Sequence, residues 1–188
     1  PSSAAFAASC GLHPAPVEEL IGLHIAFGKT VPDISLNAVA NLGYAECRFH
    51  RPVHPGDTIS TRSEVIGLKE NSSGKTGVVY VRSTATNQDD AVVIDWARWV
   101  MVNKRDREAP APDASVPALA EAVAAEDLVV PDGLDFSTYD TTAAGEPHRW
   151  DDYEVGEKID HVDGVTLTDA EHMMATRLWQ NTAKVHFD

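Results

Sequence analysis

Phe49-His50-Arg51-Pro52-Val53-His54-Pro55-Gly56-Asp57-Thr58 reads as a strand running into a tight turn. Proline and glycine set the turn, and the Asp57 carboxylate can accept hydrogen bonds from nearby backbone N–H groups. The segments near 36–50, 57–69, 76–86 and 91–103 are mostly rich in Val, Ile, Thr, Tyr and Trp. Turn chemistry separates them: Pro55-Gly56-Asp57, Asn71-Ser72-Ser73-Gly74 and Asn87-Gln88-Asp89-Asp90. Consecutive strands are the expectation. In Val78-Val79-Tyr80-Val81 and Val92-Val93-Ile94 the apolar content is too continuous for a strand wetted on one face. Those two strands are predicted to be covered on both sides, by a helix on one and by a partner domain or subunit on the other.

Upstream, residues 1–16 are small and rich in Ala and Pro, and Val17 to about Gly28 has helical spacing. Leu20, Leu23 and Ala26 or Phe27 supply the apolar positions, Glu18 and Glu19 lie in the first turn, and Gly28 is the expected stop. Downstream, Pro110, Pro112, Pro117, Pro131 and Pro147 punctuate a stretch of alanines and acids. It reads as a linker, 105–149, carrying a short helix near Ala118–Glu126. Trp150-Asp151-Asp152-Tyr153-Glu154-Val155-Gly156 then opens a second unit. Thr168-Asp169-Ala170-Glu171 has capping-box spacing and leads into a helix from Ala170 to about Gln180. Its apolar face is expected to be Met174 and Leu178, with Met173 and Ala175 beside them. The organisation expected is a first unit over 1–104, the linker, and a second unit over 150–188. That second unit has too little sheet of its own to bury its helix, so it is expected to be incomplete.

Composition narrows the function. The 188 residues (20.3 kDa) carry 15 Lys+Arg against 29 Asp+Glu, a net charge of −14 and a pI near 4.8. Such a field repels phosphate backbones and anionic membranes, so neither a nucleic-acid-binding nor a membrane-binding surface is expected. No stretch reaches the roughly 18 apolar residues that span a bilayer. Pro1-Ser2-Ser3-Ala4-Ala5 lacks the pattern of a secretion signal. Cys10 and Cys47, with no CxxC, and eight histidines with no HExxH exclude a disulfide framework and argue against a zinc site. A soluble, cytoplasmic protein without metal is the expectation. Its acidity serves solubility or tolerance of high salt. Folding stability titrated with KCl separates the two, since a salt-adapted fold loses stability in dilute buffer.

The opening phrase resembles the F-x-x-P-V-x-P-G-D-T strand and turn of the MaoC-like branch of the hotdog fold, an α+β architecture in which an antiparallel sheet wraps a central helix. Three longer runs agree: His24 to Ser35 with Gly43-Tyr44, Ser63 to Lys69 continuing to Arg82, and Trp96 to Lys104. They resemble the double-hotdog hydratases of short, branched, unsaturated dicarboxylic CoA thioesters, relatives of (R)-specific enoyl-CoA hydratases. The resemblance covers most of 17–104 and 150–188, and such relatives continue past this length.

In (R)-specific hydratases a G-D-x-N-P-[LIV]-H phrase activates the water. Gln180-Asn181-Thr182-Ala183-Lys184-Val185-His186 is the matching stretch, departing at Gln180, Ala183 and Lys184. The resemblance implies His186 as general base and Asn181 as the group that positions water or the substrate carboxylate, because an amide can orient water but cannot take its proton. Asp188 is a further acid/base candidate. It also implies an oxyanion stabiliser made of backbone N–H groups near a helix start, and no cofactor beyond the CoA carried by the substrate. Arg48 and Arg51 belong to the densest basic cluster before Lys104 and are candidates for CoA phosphates or for solvated strand positions. Arg98 shares a strand face with Ile94, Trp96 and Val100, where a lone charge is costly, so a carboxylate partner is expected, on the protein or on a substrate. His24 is expected in the core. Glu171 and His172, as i,i+1 neighbours on a helix, do not face each other and form no dyad. Hotdog sheets pair edge to edge, so self-association into a homo-oligomer is expected. The alternatives to a hydratase are a hotdog thioesterase and a non-catalytic acyl-CoA-binding module.

Overall fold

The computed structural model describes residues 3–145 and 148–186, so Asp188 lies outside the described residues. Strands β1 (Ala38–Phe49), β2 (Ser60–Glu70), β3 (Thr76–Thr86) and β4 (Val92–Asn103) form one antiparallel sheet in the order β1-β4-β3-β2. All four lie within a few residues of the predicted segments, and the turns use the predicted chemistry. The His54 N–H donates to Asp57 Oδ2 at 2.8 Å, and the Asn87 side chain accepts from the N–H groups of Asp89 and Ala91. Gly56 and Gly74 take positive φ, which glycine adopts without a Cβ penalty.

Two helices precede the sheet, α1 (Ala4–Ser9) and α2 (Glu19–Thr30). The α2 helix does not stop at Gly28. It runs to Thr30 and passes into a π-helical turn, Val31–Ser35. Gly28 instead marks a close approach: a Cβ built there would stand 1.6 Å from the Trp179 carbonyl oxygen. Ala26, with Leu23 and Phe27 beside it, packs on Ala85, Ile94 and Trp96, and this is the centre of the core. Trp96 is 1% exposed.

The opposite face of the sheet carries an ion-pair network beside the stacked rings of Tyr80 and Trp99. Arg82 bridges Glu46 and Asp95, and His50 pairs with the same Asp95. Here the expectation of a partner domain needs correction, because the chain's own linker covers this side. Leu68 and Ser115 exchange backbone hydrogen bonds at 2.8 Å, the Ala120 N–H donates to Glu46 Oε1 at 3.0 Å, and Arg48 pairs with Asp127 at 3.6 Å. Leu68 is on one edge strand and Glu46 on the other, so the segment crosses the whole sheet. The helix expected near Ala118–Glu126 shrinks to a 3-10 turn, Ala125–Asp127, since Ala120 gives its N–H to a carboxylate rather than to a helical carbonyl. A single further turn, α3 (Thr141–Ala144), follows.

That N–H and the Arg82 guanidinium hold the Glu46 carboxyl below its ordinary range. A depressed carboxylate stabilises the fold above its unfolded-state pKa, and the stabilisation is lost as pH falls through the folded value. Glu46→Gln is therefore expected to be less stable than wild type at pH 7, with the gap closing on acidification, as read from urea midpoints at several pH values.

The last helix, α4 (Asp169–Leu178), has the predicted capping box. Thr168 Oγ1 accepts from the Glu171 N–H at 3.3 Å and Glu171 Oε2 accepts from the Thr168 N–H at 3.2 Å. Its packed face differs from the predicted one. Met174 and Leu178 are 60% and 66% exposed, whereas Thr176 is buried and Met173 and Ala175 are half-buried. Its inward strip is His172, Ala175, Thr176 and Trp179, the i, i+3, i+4, i+7 positions of a single face. No helix among the described residues is long and apolar enough to cross a membrane.

Candidate active site

A cleft of about 730 Å³ opens between α2, β1 and the segment from α4 to His186. Its walls are mainly apolar, from Leu20, Leu23, Phe27, Val39, Ala40 and Trp96. Three polar groups interrupt them: His172, Asn181 and His186 on the α4 side, His24 on α2, and Tyr44, Asn41, Ser35 and Arg98 towards the sheet. An apolar cavity with a few convergent polar groups is the usual form of a small-molecule site.

The turn after α4 delivers the first group. Trp179 caps the helix, its carbonyl lies against Gly28, and its ring stacks on His24 with centroids 5.9 Å apart. Gln180 takes φ +56°, the left-handed conformation that glycine would favour, at the position where the (R)-hydratase phrase has glycine. Its side-chain oxygen accepts from Lys29 Nζ at 3.3 Å. The Asn181 N–H donates to the Thr176 carbonyl, and Asn181 Oδ1 accepts from the Ala183 N–H at 3.1 Å. A 3-10 turn, Lys184–His186, then brings the imidazole of His186 to the cleft wall.

His186 is not alone there. Its Nδ1 lies 3.2 Å from Nε2 of His172, with ring centroids 5.2 Å apart. The i,i+1 relation that separates His172 from Glu171 is silent on a partner beyond the helix end. The informative signal was its place on the strip His172, Ala175, Thr176, Trp179, which aims it at whatever follows the helix.

Arg98 is 0% exposed. Its Nη2 donates to Thr30 Oγ1 at 2.8 Å and to Ser35 Oγ at 3.4 Å, and its guanidinium carbon stands 4.4 Å from the Phe27 ring centre. The carboxylate expected on the protein is absent: among the described residues Arg98 forms no ion pair, and its Nε and Nη1 lack hydrogen-bond partners. The C-terminal end of α2 and the face of Phe27 offset part of the charge. Burial lowers its pKa to about 10, so it remains a cation at neutral pH. Burial likewise raises the Tyr44 phenol, against the opposing pull of Arg98.

The other singled-out residues fall elsewhere. His24 is exposed in the cleft rather than buried in the core, because its ring packs on Trp179 and not on the sheet. Arg48 pairs with Asp127 on the outer face of the sheet. Arg51 lines a second cavity, of about 480 Å³, with His13, His50 and His54. The two cavities adjoin along the chain: Glu19 and Phe49 line one, Leu20 and Cys47 the other.

A four-stranded antiparallel sheet curled on one long helix, with a histidine-bearing cleft beside that helix, is a MaoC-like hotdog fold. Residues 2–96 match the family model described as FAS1-like, dehydratase domain region, and the chain belongs to that family. Over 187 residues it is 67% identical to mesaconyl-CoA hydratase of Cereibacter sphaeroides, covering 100% of this chain and 54% of the relative. It is 61% identical to beta-methylmalyl-CoA dehydratase of Chloroflexus aurantiacus, covering 100% of this chain and 53% of the relative. The crystal structure of a MaoC domain protein dehydratase from Chloroflexus aurantiacus J-10-fl superposes with a TM-score of 0.91 at 61% identity, over 100% of this chain and 53% of that one. The chain spans about half the length of the curated relatives it matches.

Proposed function

We propose that this cleft is the acyl site of a hydro-lyase that adds water reversibly to mesaconyl-CoA, giving beta-methylmalyl-CoA. The observation that carries the reading is the convergence of His186, His172 and Asn181 on an apolar cleft, in a chain closely similar to relatives bearing those names. His186 Nε2 accepts a proton from water, and the hydroxide adds to the β-carbon. The double-bond electrons shift onto the thioester carbonyl, and the α-carbon then takes the proton back from the imidazolium. Asn181 orients the water. Asp188 keeps its place as a further acid/base candidate.

His172 has a positioning role in this scheme. A neutral imidazole has one N–H, so His186 Nε2 is free to act as base only when Nδ1 carries the hydrogen. Nε2 of His172, 3.2 Å away, accepts that Nδ1–H and holds the productive tautomer. His172→Ala is expected to lower kcat about 10- to 100-fold with little change in KM. Nitrogen NMR of His186 is expected to show the hydrogen moving to Nε2, which a merely structural role would not produce.

The thioester's CoA leads out past Leu20 towards the adjoining cavity, where Arg51 is the phosphate contact; Arg48 contributes only if it leaves Asp127. The chemistry uses no metal or redox cofactor, and the protein works as a cytoplasmic homo-oligomer. A single assay tests the reading: protein is mixed with mesaconyl-CoA while enoyl-thioester absorbance and free thiol are followed together. Loss of absorbance without thiol is the expected result. Thiol release would make the protein a thioesterase, and binding with neither change would make it an acyl-CoA-binding module.

A further inference from the structure

The floor of the cleft holds an unusual concentration of unsatisfied donors. Arg98 Nε, Arg98 Nη1 and Trp96 Nε1 are all buried without a hydrogen-bond partner among the described residues. Both residues line the cleft and lie two apart on β4, so their side chains leave the same face of the sheet. A buried donor left unmade costs roughly 1–3 kcal/mol, and more for a charged group. Native interiors seldom tolerate such a group unless something completes it. Among the described residues nothing nearby does so: the groups beside the guanidinium are the hydroxyls of Thr30 and Ser35, the Phe27 ring and the Tyr44 phenol. The missing partner is an acceptor, anionic and planar, because a guanidinium fork matches a carboxylate with two parallel hydrogen bonds.

We infer that Arg98 and Trp96 form a subsite for a free carboxylate at the acyl end of the substrate, and that this subsite selects dicarboxylic over monocarboxylic thioesters. The inference rests on the proposal that the cleft takes an acyl-CoA. It places Arg98 at the acyl end of the ligand, away from the CoA phosphates. Complete burial fits that position, since coenzyme A phosphates stay near solvent while an acyl terminus is enclosed. The Phe27 ring and Tyr44 stand beside the guanidinium, and both line the cleft, so the cation lies at the cleft wall rather than sealed in the core. A site built for a charged acceptor also rejects an uncharged analogue, which would leave the same donors unpaired.

The test compares binding of two α,β-unsaturated thioesters, mesaconyl-CoA and crotonyl-CoA, to the intact protein by calorimetry. Wild type is expected to prefer the carboxylated ligand by about 100-fold, the range of a buried charge-assisted pair. Arg98→Met should abolish that preference and leave crotonyl-CoA affinity within about threefold, because methionine fills similar volume without charge. Trp96→Phe, which deletes one donor and leaves a smaller aromatic ring, should reduce the preference about fivefold, and melting temperatures of both variants separate lost recognition from misfolding. Equal affinities in wild type would overturn the subsite, as would equal losses for both ligands in Arg98→Met. A sharp loss of melting temperature in Arg98→Met with no wild-type preference would overturn the subsite and leave the cation a structural role. If the preference is found but no water is added, the subsite stands and the hydratase reading alone falls.

Discussion

Gly28→Ala is expected to destabilise the protein by about 3 kcal/mol and to cut activity by about 100-fold. The new Cβ would lie 1.6 Å from the Trp179 carbonyl oxygen, 2.8 Å from its carbon and 3.4 Å from the Asn181 nitrogen. All three are backbone atoms, so no rotamer change relieves the contact. Either α2 or the turn 179–181 must retreat, and that turn sets the positions of Asn181 and His186. The same substitution six residues earlier on α2 supplies the control. At Gly22 a Cβ would meet only the tips of Ile94 and Val53, at 3.4 and 3.7 Å. Alanine there gains up to about 1 kcal/mol of helix propensity, so Gly22→Ala should be neutral or stabilising. Thermal unfolding of the two variants, with turnover measured on each, checks the pair. Similar behaviour of both would mean that α4 does not rest on Gly28.

His186→Ala is expected to reduce hydration by 10²- to 10⁴-fold, the usual worth of general acid–base catalysis, with the melting temperature nearly unchanged. Stability should survive because His186 is only partly buried and its side-chain hydrogen bond to His172 is exposed. Affinity for the thioester should change little, since the apolar walls and Arg98 supply most of the cleft's lining. A drop in kcat without a matching rise in KM is the signature of an interaction made in the transition state. His186→Ala retaining most of the turnover would remove the imidazole from the mechanism and turn attention to Asp188.

Much of the fold was legible in the residues because its signals are local. Asn71–Gly74 and Asn87–Asp90 mark their turns by composition, and Thr168 and Glu171 announce their helix by spacing. What failed depended on partners distant in sequence. Gly28 reads as a helix stop until Trp179, some 150 residues on, is seen against it. Met174 and Leu178 look like the buried face of α4, yet periodicity cannot tell which of two stripes meets a neighbour.

The site divides in the same way. The 180–186 phrase was recognisable as a motif, and the positive φ of Gln180 explains how its turn survives without glycine. His172 escaped because its partner lies fourteen residues away, across a turn whose course no local rule gives. For Arg98 the sequence indicated an expensive charge on an apolar face but not what completes it. The structure removes the protein carboxylate from that choice among the described residues and leaves two guanidinium donors open.

The most direct test of water addition at this cleft is to follow the solvent oxygen. Intact protein is incubated with mesaconyl-CoA in water enriched in oxygen-18, and the product is analysed by fragment mass spectrometry. Label is expected in a hydroxyl on the β-carbon, with the thioester intact, and His186→Ala should suppress it. Label in a liberated carboxylate, or equal incorporation by His186→Ala, would contradict the account.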